Sequence, residues 1–191
     1  MKVLLRVVAI VLVCVPGALA QIGSTDRHFA KDGLSFDYPA TWQISDQSSA
    51  QMQVIQLVRG DGYAEIRVRV PREFLKSPQK EAEARKVVQD KYVEGFVDTL
   101  QQAGLKPTRE EATTEIAGGP AAGIRIHAIL DQEPGGMDSY YRILSDRFVQ
   151  ISRLGSQREM TKSVDAWDMI RNSIKVEAPA IPSASPTPKK P

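Results

Sequence analysis

The chain has 191 residues, with 25 Lys and Arg against 23 Asp and Glu, a formal net charge of +2. Lys2 and Arg6 account for that whole excess, so from residue 21 onward the chain carries 23 charges of each sign. No basic face or run stands out, which removes the electrostatic footprint of nucleic-acid binding and leaves the composition of an ordinary soluble globule.

The first element is a leader. Lys2 and Arg6 precede a nearly unbroken apolar run from Val7 to Val15, followed by Pro16-Gly17 and the small-residue site Ala18-Leu19-Ala20. Charged, apolar and cleavage regions in that order predict a secretory signal peptide over 1–20, cut after Ala20. A membrane helix needs about 20 apolar residues, and this run is shorter and ends at a helix-breaking pair. Cys14 is the one cysteine, and Val13 stands directly before it where a lipoprotein site has a small residue. Cys14 therefore reads as a hydrophobe of the leader and not as a lipid anchor, and the mature chain has no thiol chemistry. The expected address is the periplasm or the outside, with no membrane span after cleavage.

After a polar lead over 21–26, a single domain is predicted over 27–176, close to the commonest domain size. Arg27 to Ala30 predicts a small strand, and Lys31-Asp32-Gly33 a turn. Leu34, Phe36 and Tyr38 then alternate with polar residues, the period of a strand buried on one face. Pro39 stops that ladder because it has no N–H to donate, and the chain resumes at Trp42 to Ile44. Met52 to Leu57 and Glu65 to Val70 read as a hairpin turned at Gly60-Asp61-Gly62, with Glu65, Arg67 and Arg69 on a solvated face.

From Gln79 to Ala103 the period becomes helical, with Val88, Tyr92, Phe96 and Leu100 on one stripe, Ser77-Pro78 at the entry and Gly104 at the exit. Leu105 to Thr108 and Thr113 to Ile116 look like two strand pieces. Gly118-Gly119-Pro120 turns the chain into Ala122 to Leu130, where Ile124, Ile126 and Ala128 alternate with Arg125 and His127. A loop over 131–136 leads to strands Ser139 to Leu144 and Phe148 to Leu154, an antiparallel meander. Ser163 to Ile174 predicts a second amphipathic helix with Val164, Trp167, Ile170 and Ile174 on one face. Glu177 to Pro191 is Pro-, Ala- and Ser-rich and is expected to be a disordered tail. The order of elements defines an α+β layered domain.

The segment Asp32-Gly33-Leu34-Ser35-Phe36-Asp37-Tyr38-Pro39-Ala40-Thr41-Trp42 resembles the opening signature of the PsbP-like fold family, a strand that ends in Tyr-Pro-x-x-Trp. Trp167 to Ile174 is similar to that family's last helix. The resemblance implies a central antiparallel sheet sandwiched by helices. The fold serves an extrinsic photosystem II protein, a nuclear Ran-binding protein and many bacterial secreted proteins, including the DcrB group. A bacterial envelope member, DcrB-like, is the placement it implies, and it says little about activity.

Catalytic chemistry finds few candidates. The histidines are His28 and His127, His127 stands at a polar position of its strand, and no serine sits in a Gly-x-Ser-x-Gly elbow. The expectation is no enzyme and no cofactor. Asp131, Glu133 and Asp138 crowd the Gly135-Gly136 loop, a set of oxygen donors suited to Ca²⁺ but without the spacing of a calcium loop. Tyr38 and Trp42 read as an aromatic clamp on the Pro39 bend, with ligand contact as the alternative. One of Tyr140 and Tyr141 must face out, and Tyr141 beside Arg142 and the acidic loop would make a recognition patch. Arg67, Arg69 and Arg125 would line an anion-binding face if their strands were neighbours. The expected role is an exported, monomeric binding or assembly module holding an unknown envelope protein. The alternative is a small-molecule or lipid carrier with a pocket lined by Tyr92, Phe96 and Trp167, and a hydrolytic enzyme is the third reading.

Overall fold

The computed structural model describes residues 26–130 and 132–177. The leader, Cys14, most of the polar lead, Asp131 and the tail beyond Glu177 lie outside these residues. Two sheets form among the described residues. The larger joins seven antiparallel strands in the order β3 (Trp42–Asp46), β4 (Met52–Arg59), β5 (Glu65–Pro71), β9 (Arg147–Ser156), β8 (Glu133–Leu144), β7 (Gly119–Leu130) and β6 (Thr108–Ile116). The smaller sets β2 (Leu34–Pro39) between β1 (Asp26–Lys31) and β10 (Lys175–Val176).

The large sheet is buried on both faces. On one, Ile55, Leu57, Ile66, Val68, Val70, Val149 and Ile151 meet Leu34, Phe36 and Tyr38 of β2. Ala166, Trp167 and Ile170 of α4 (Val164–Ser173) complete that core. On the other, Val93 and Leu100 of α2 (Lys91–Gln102) cover Ile124, Ile126, Ala128 and Met137. This is the expected α+β architecture, a central antiparallel sheet between layers. Each fully buried aliphatic side chain contributes about 1.5–3 kcal/mol, so the two cores carry the fold without a disulfide.

The Tyr-Pro-x-x-Trp motif is the pivot between the sheets. Asp32-Gly33 is a two-residue turn with φ of 50° and 78°, which pairs Lys31 with Leu34. Counting from that turn, Ser35, Asp37 and Pro39 point their backbone groups away from β1. Ser35 meets Lys175 of β10, and the Asp37 N–H donates to Ser173 Oγ at 2.8 Å. Pro39 falls beyond the last β10 residue, where no acceptor waits, so its missing N–H costs nothing. The chain then crosses to the large sheet, and Tyr38 and Trp42 bury on either side of the crossing in one core.

Several expectations need correcting. The helix predicted over 79–103 is α1 (Pro78–Ala84), a π-helical stretch Arg85–Asp90, and α2. The extra residue per turn turns Gln89 inward beside Val88, where it meets Ser139 and Gln150 in a buried amide-hydroxyl network with bonds of 2.9–3.0 Å. Of the two pieces expected at 105–108 and 113–116, Leu105 to Pro107 is not strand, and one continuous strand, β6, runs from Thr108 to Ile116, its charged Arg109-Glu110-Glu111 segment hiding its period. Residues 133–136, expected in a loop, are strand: β7 and β8 pair from Leu130–Glu133 onward. Pro134, Gly135 and Gly136 look like loop residues but lie in β8, because a Cβ on Gly136 would sit 1.8 Å from the Ile126 carbonyl oxygen. The face of Glu65, Arg67 and Arg69 is half-buried and not solvated, since Arg69 lies under the Tyr92 ring of α2 at 3.5 Å. A short helix, α3 (Gln157–Lys162), precedes α4, and Val164 is 40% exposed at the join and not part of the core face.

Candidate functional site: a cleft over a charged row

The register of the large sheet aligns four charged residues in one row. Glu110 of β6 stands opposite Arg125 of β7, Arg125 opposite Asp138 of β8, and Asp138 opposite Arg153 of β9. Cross-strand neighbours share a face, so the row alternates minus, plus, minus, plus across four strands. Its inner end is buried and tightly joined: Asp138 Oδ2 accepts from Arg153 Nε at 2.9 Å and lies 2.8 Å from Nη2. Arg153 stacks 5.0 Å from the Trp167 ring, and Trp167 packs against Tyr140. Arg125 Nε donates to the Tyr140 hydroxyl at 2.9 Å and lies 3.6 Å from Asp138. Burial pushes the Tyr140 hydroxyl pKa up, and its hydrogen bond holds Arg125 more firmly protonated. The outer end opens to solvent, where Glu110 Oε1 is 3.7 Å from Arg125 and 3.3 Å from His127 Nε2.

Helix α3 roofs the inner half. Ser156 caps it by accepting from the Glu159 N–H, and Glu159 pins it to the β4–β5 turn through Arg59 at 2.6 Å. Between helix and sheet lies a cleft of about 210 Å³. Arg125, His127, Asp138 and Arg153 line one side, and Gln157, Met160, Thr161 and Val164 line the other. Gly135 and Gly136 form part of its floor, which stays bare of side chains for the packing reason given above. The charges are held by one another, so the cleft offers fixed hydrogen-bonding atoms beside an apolar lip, a composition suited to recognition.

The residues singled out by sequence divide among different places. Asp138 and Arg125 belong to this row. Glu133 begins β8 and lies 3.9 Å from Arg158 of α3. Asp138 is committed to arginines, and no group of three His, Cys, Asp or Glu residues able to hold a metal ion occurs among the described residues. Arg67 and Arg69 sit on β5, separated from β7 by β9 and β8, and their side chains face α2 while Arg125 faces α3, so the three do not form one anion-binding face. Tyr141 and Arg142 project from opposite faces of β8. Tyr141 stacks on Phe148 with centroids 4.8 Å apart, and Arg142 donates to the Ala117 carbonyl at 3.1 Å. Tyr38 and Trp42 are 7% and 3% exposed, as an aromatic clamp requires. Tyr92 and Phe96 pack on one face of the sheet and Trp167 on the other, so no pocket is lined by all three. Arg153, Gln157 and Thr161 were not among the sequence candidates, and their membership depends on strand register and on a six-residue helix that has no apolar period.

The architecture is the PsbP-like fold. The solution structure of cyanobacterial PsbP (CyanoP) from Synechocystis sp. PCC 6803 matches over 85% of this chain and 99% of that one, with a TM-score of 0.55 at 11% identity. A crystal structure of a protein of unknown function from Pseudomonas aeruginosa matches over 81% of this chain and 99% of its own, at 14% identity and a TM-score of 0.38. No protein-family model and no curated protein matches the chain. No helix among the described residues is long and apolar enough to cross a membrane.

Proposed function

We propose that this protein is an exported, non-catalytic binding or assembly module of a bacterial envelope, and that it holds a protein partner at the cleft between α3 and the sheet. The observation that carries the reading is the alternating row of Glu110, Arg125, Asp138 and Arg153, fixed by mutual ion pairs and ending at the exposed lip of His127 and Val164. Preformed polar atoms beside an apolar residue lose little freedom on docking, which favours recognition of a partner surface. The export and envelope elements rest on the Met1–Ala20 leader and on the resemblance to secreted PsbP-like proteins, with a DcrB-like role as the finer placement.

The test is affinity capture from the envelope with the processed chain, run beside Val164→Asp and Thr161→Arg. Thr161→Arg fills the cleft and Val164→Asp replaces its apolar lip with a charge, and neither changes a residue of the row. An envelope protein retained by the wild type and lost from both variants supports the reading. Equal retention by all three, or a turnover activity abolished by His127→Asn, overturns it.

A further inference from the structure

Strand β6 ends the large sheet, and among the described residues nothing pairs with its outer side. Its phase is fixed by the two-residue turn Ala117-Gly118, with φ of 50° and 70°, which makes Ile116 and Gly119 the first hydrogen-bonded pair. Alternate residues then follow the rule of an antiparallel ladder: even-numbered ones bond to β7, and Arg109, Glu111, Thr113 and Glu115 aim their N–H and C=O groups outward. A contact from α4 agrees with that phase. Arg171 Nη1 donates to the Glu115 carbonyl at 2.9 Å, from the side away from β7.

The charges on this edge are unevenly compensated. Glu110 is held by Arg125 and His127, and Glu111 lies in the field of Arg85. Arg109 and Glu115 are both exposed, and neither has an ion-pair partner among the described residues. They stand six positions apart on one face, with Ala112 midway.

We infer that β6 pairs antiparallel with β6 of a second copy of this chain, about a two-fold axis through Ala112. In that register Arg109 lies opposite Glu115 of the partner and Glu111 opposite Thr113, each pair occurring twice by symmetry. Every outward residue in it carries an N–H, whereas the register shifted toward Pro107 would place a proline in the ladder. The Glu115 carbonyl has a second lone pair for the incoming Arg109 N–H. Its other neighbour is the Arg171 guanidinium. The side-chain row at the edge is polar, and such a strand buries less than the roughly 1,000 Å² of a durable interface, so the dimer is weak, with a dissociation constant on the order of tens of micromolar.

Sedimentation equilibrium of the processed chain tests this. The expected result is a monomer–dimer equilibrium in which Arg109→Glu or Glu115→Arg each weakens association about tenfold, and the double exchange restores it. Thr113→Pro removes an outward N–H that the chain's own sheet does not use, and is expected to give a monomer with an unchanged far-UV spectrum. A single monomeric species up to about 1 mM overturns the inference, because it is far above the expected dissociation constant. So does a dimer indifferent to the charge substitutions, or a double exchange that fails to restore it. If Thr113→Pro fails to fold, the charge exchange decides alone.

Discussion

Substituting Asp138 by Ala removes the acceptor that neutralises Arg153 at the inner end of the row. The carboxylate is 8% exposed and the arginine side chain 18%, and two of the arginine's nitrogens lie within 2.9 Å of one carboxylate oxygen. The third, Nη1, is already buried without an acceptor. Losing one partner of a buried pair costs about 3–5 kcal/mol because the survivor keeps its charge in a poor solvent. Residual exposure of Arg153 and its cation–π contact with Trp167 place the cost near the lower end, about 3 kcal/mol. A domain of this size has about 5–15 kcal/mol in all, so the variant remains folded but is easily measured. Urea unfolding at pH 7 is expected to show a midpoint lowered by about 1–2 M, from a slope of about 2 kcal/mol per molar. The double variant Asp138→Ala/Arg153→Met is expected to recover about 2 kcal/mol relative to the sum of the single effects. A single-variant cost below about 1 kcal/mol, or strict additivity, would refute the buried-pair argument.

Four further outcomes are expected. Gly136→Ala drives a Cβ to within 1.8 Å of the Ile126 carbonyl oxygen and is expected to lower stability by more than about 3 kcal/mol or to block folding. Gly95→Ala, in α2 with nothing within 4 Å, is expected to raise thermal stability by about 0.5–1 kcal/mol. The Lys31 ammonium lies 2.5 Å from Asp46 and its hydrogen bond lowers the Asp46 carboxyl to about 2. A depressed carboxyl adds stability above its unfolded pKa and loses it as pH falls through the folded value, so Asp46→Asn is expected to cost a screened 0.2–1 kcal/mol (approximately) at pH 7, with the difference fading between about pH 4 and 2. Amino-terminal sequencing of exported protein is expected to begin at Gln21, and a lipid-modified terminus at Cys14 would contradict that processing.

The elements with a clean period were legible from the chain. Leu34, Phe36 and Tyr38 fall on the buried face of β2, and Ile66, Val68 and Val70 on that of β5, because one face of each packs on a core. Elements whose sequence reports something other than packing were not. β6 carries charges because it is an edge, and β8 has Gly135-Gly136 near its start because neighbouring backbone lies where their side chains would go. The π-helical stretch is set by a tertiary contact, the Gln89 network with Ser139 and Gln150, and nothing local announces it. Asp138 reads as part of a calcium-type loop only when that loop is extended to Gly136, beyond Glu133, where β8 begins to pair with β7. Its partners come from β7 and β9, and only the register of two hairpins, β7–β8 and β8–β9, brings them into line.

We propose that the protein is recognised by its partner at the cleft beneath α3. Hydrogen–deuterium exchange of the processed chain, with and without its captured envelope partner, measures that directly. New protection is expected over Gln157 to Val164 and over Arg125 to His127, with the far face of the sheet unchanged. Protection confined to α2, or to any surface that leaves α3 and β7 exchanging as before, would contradict it.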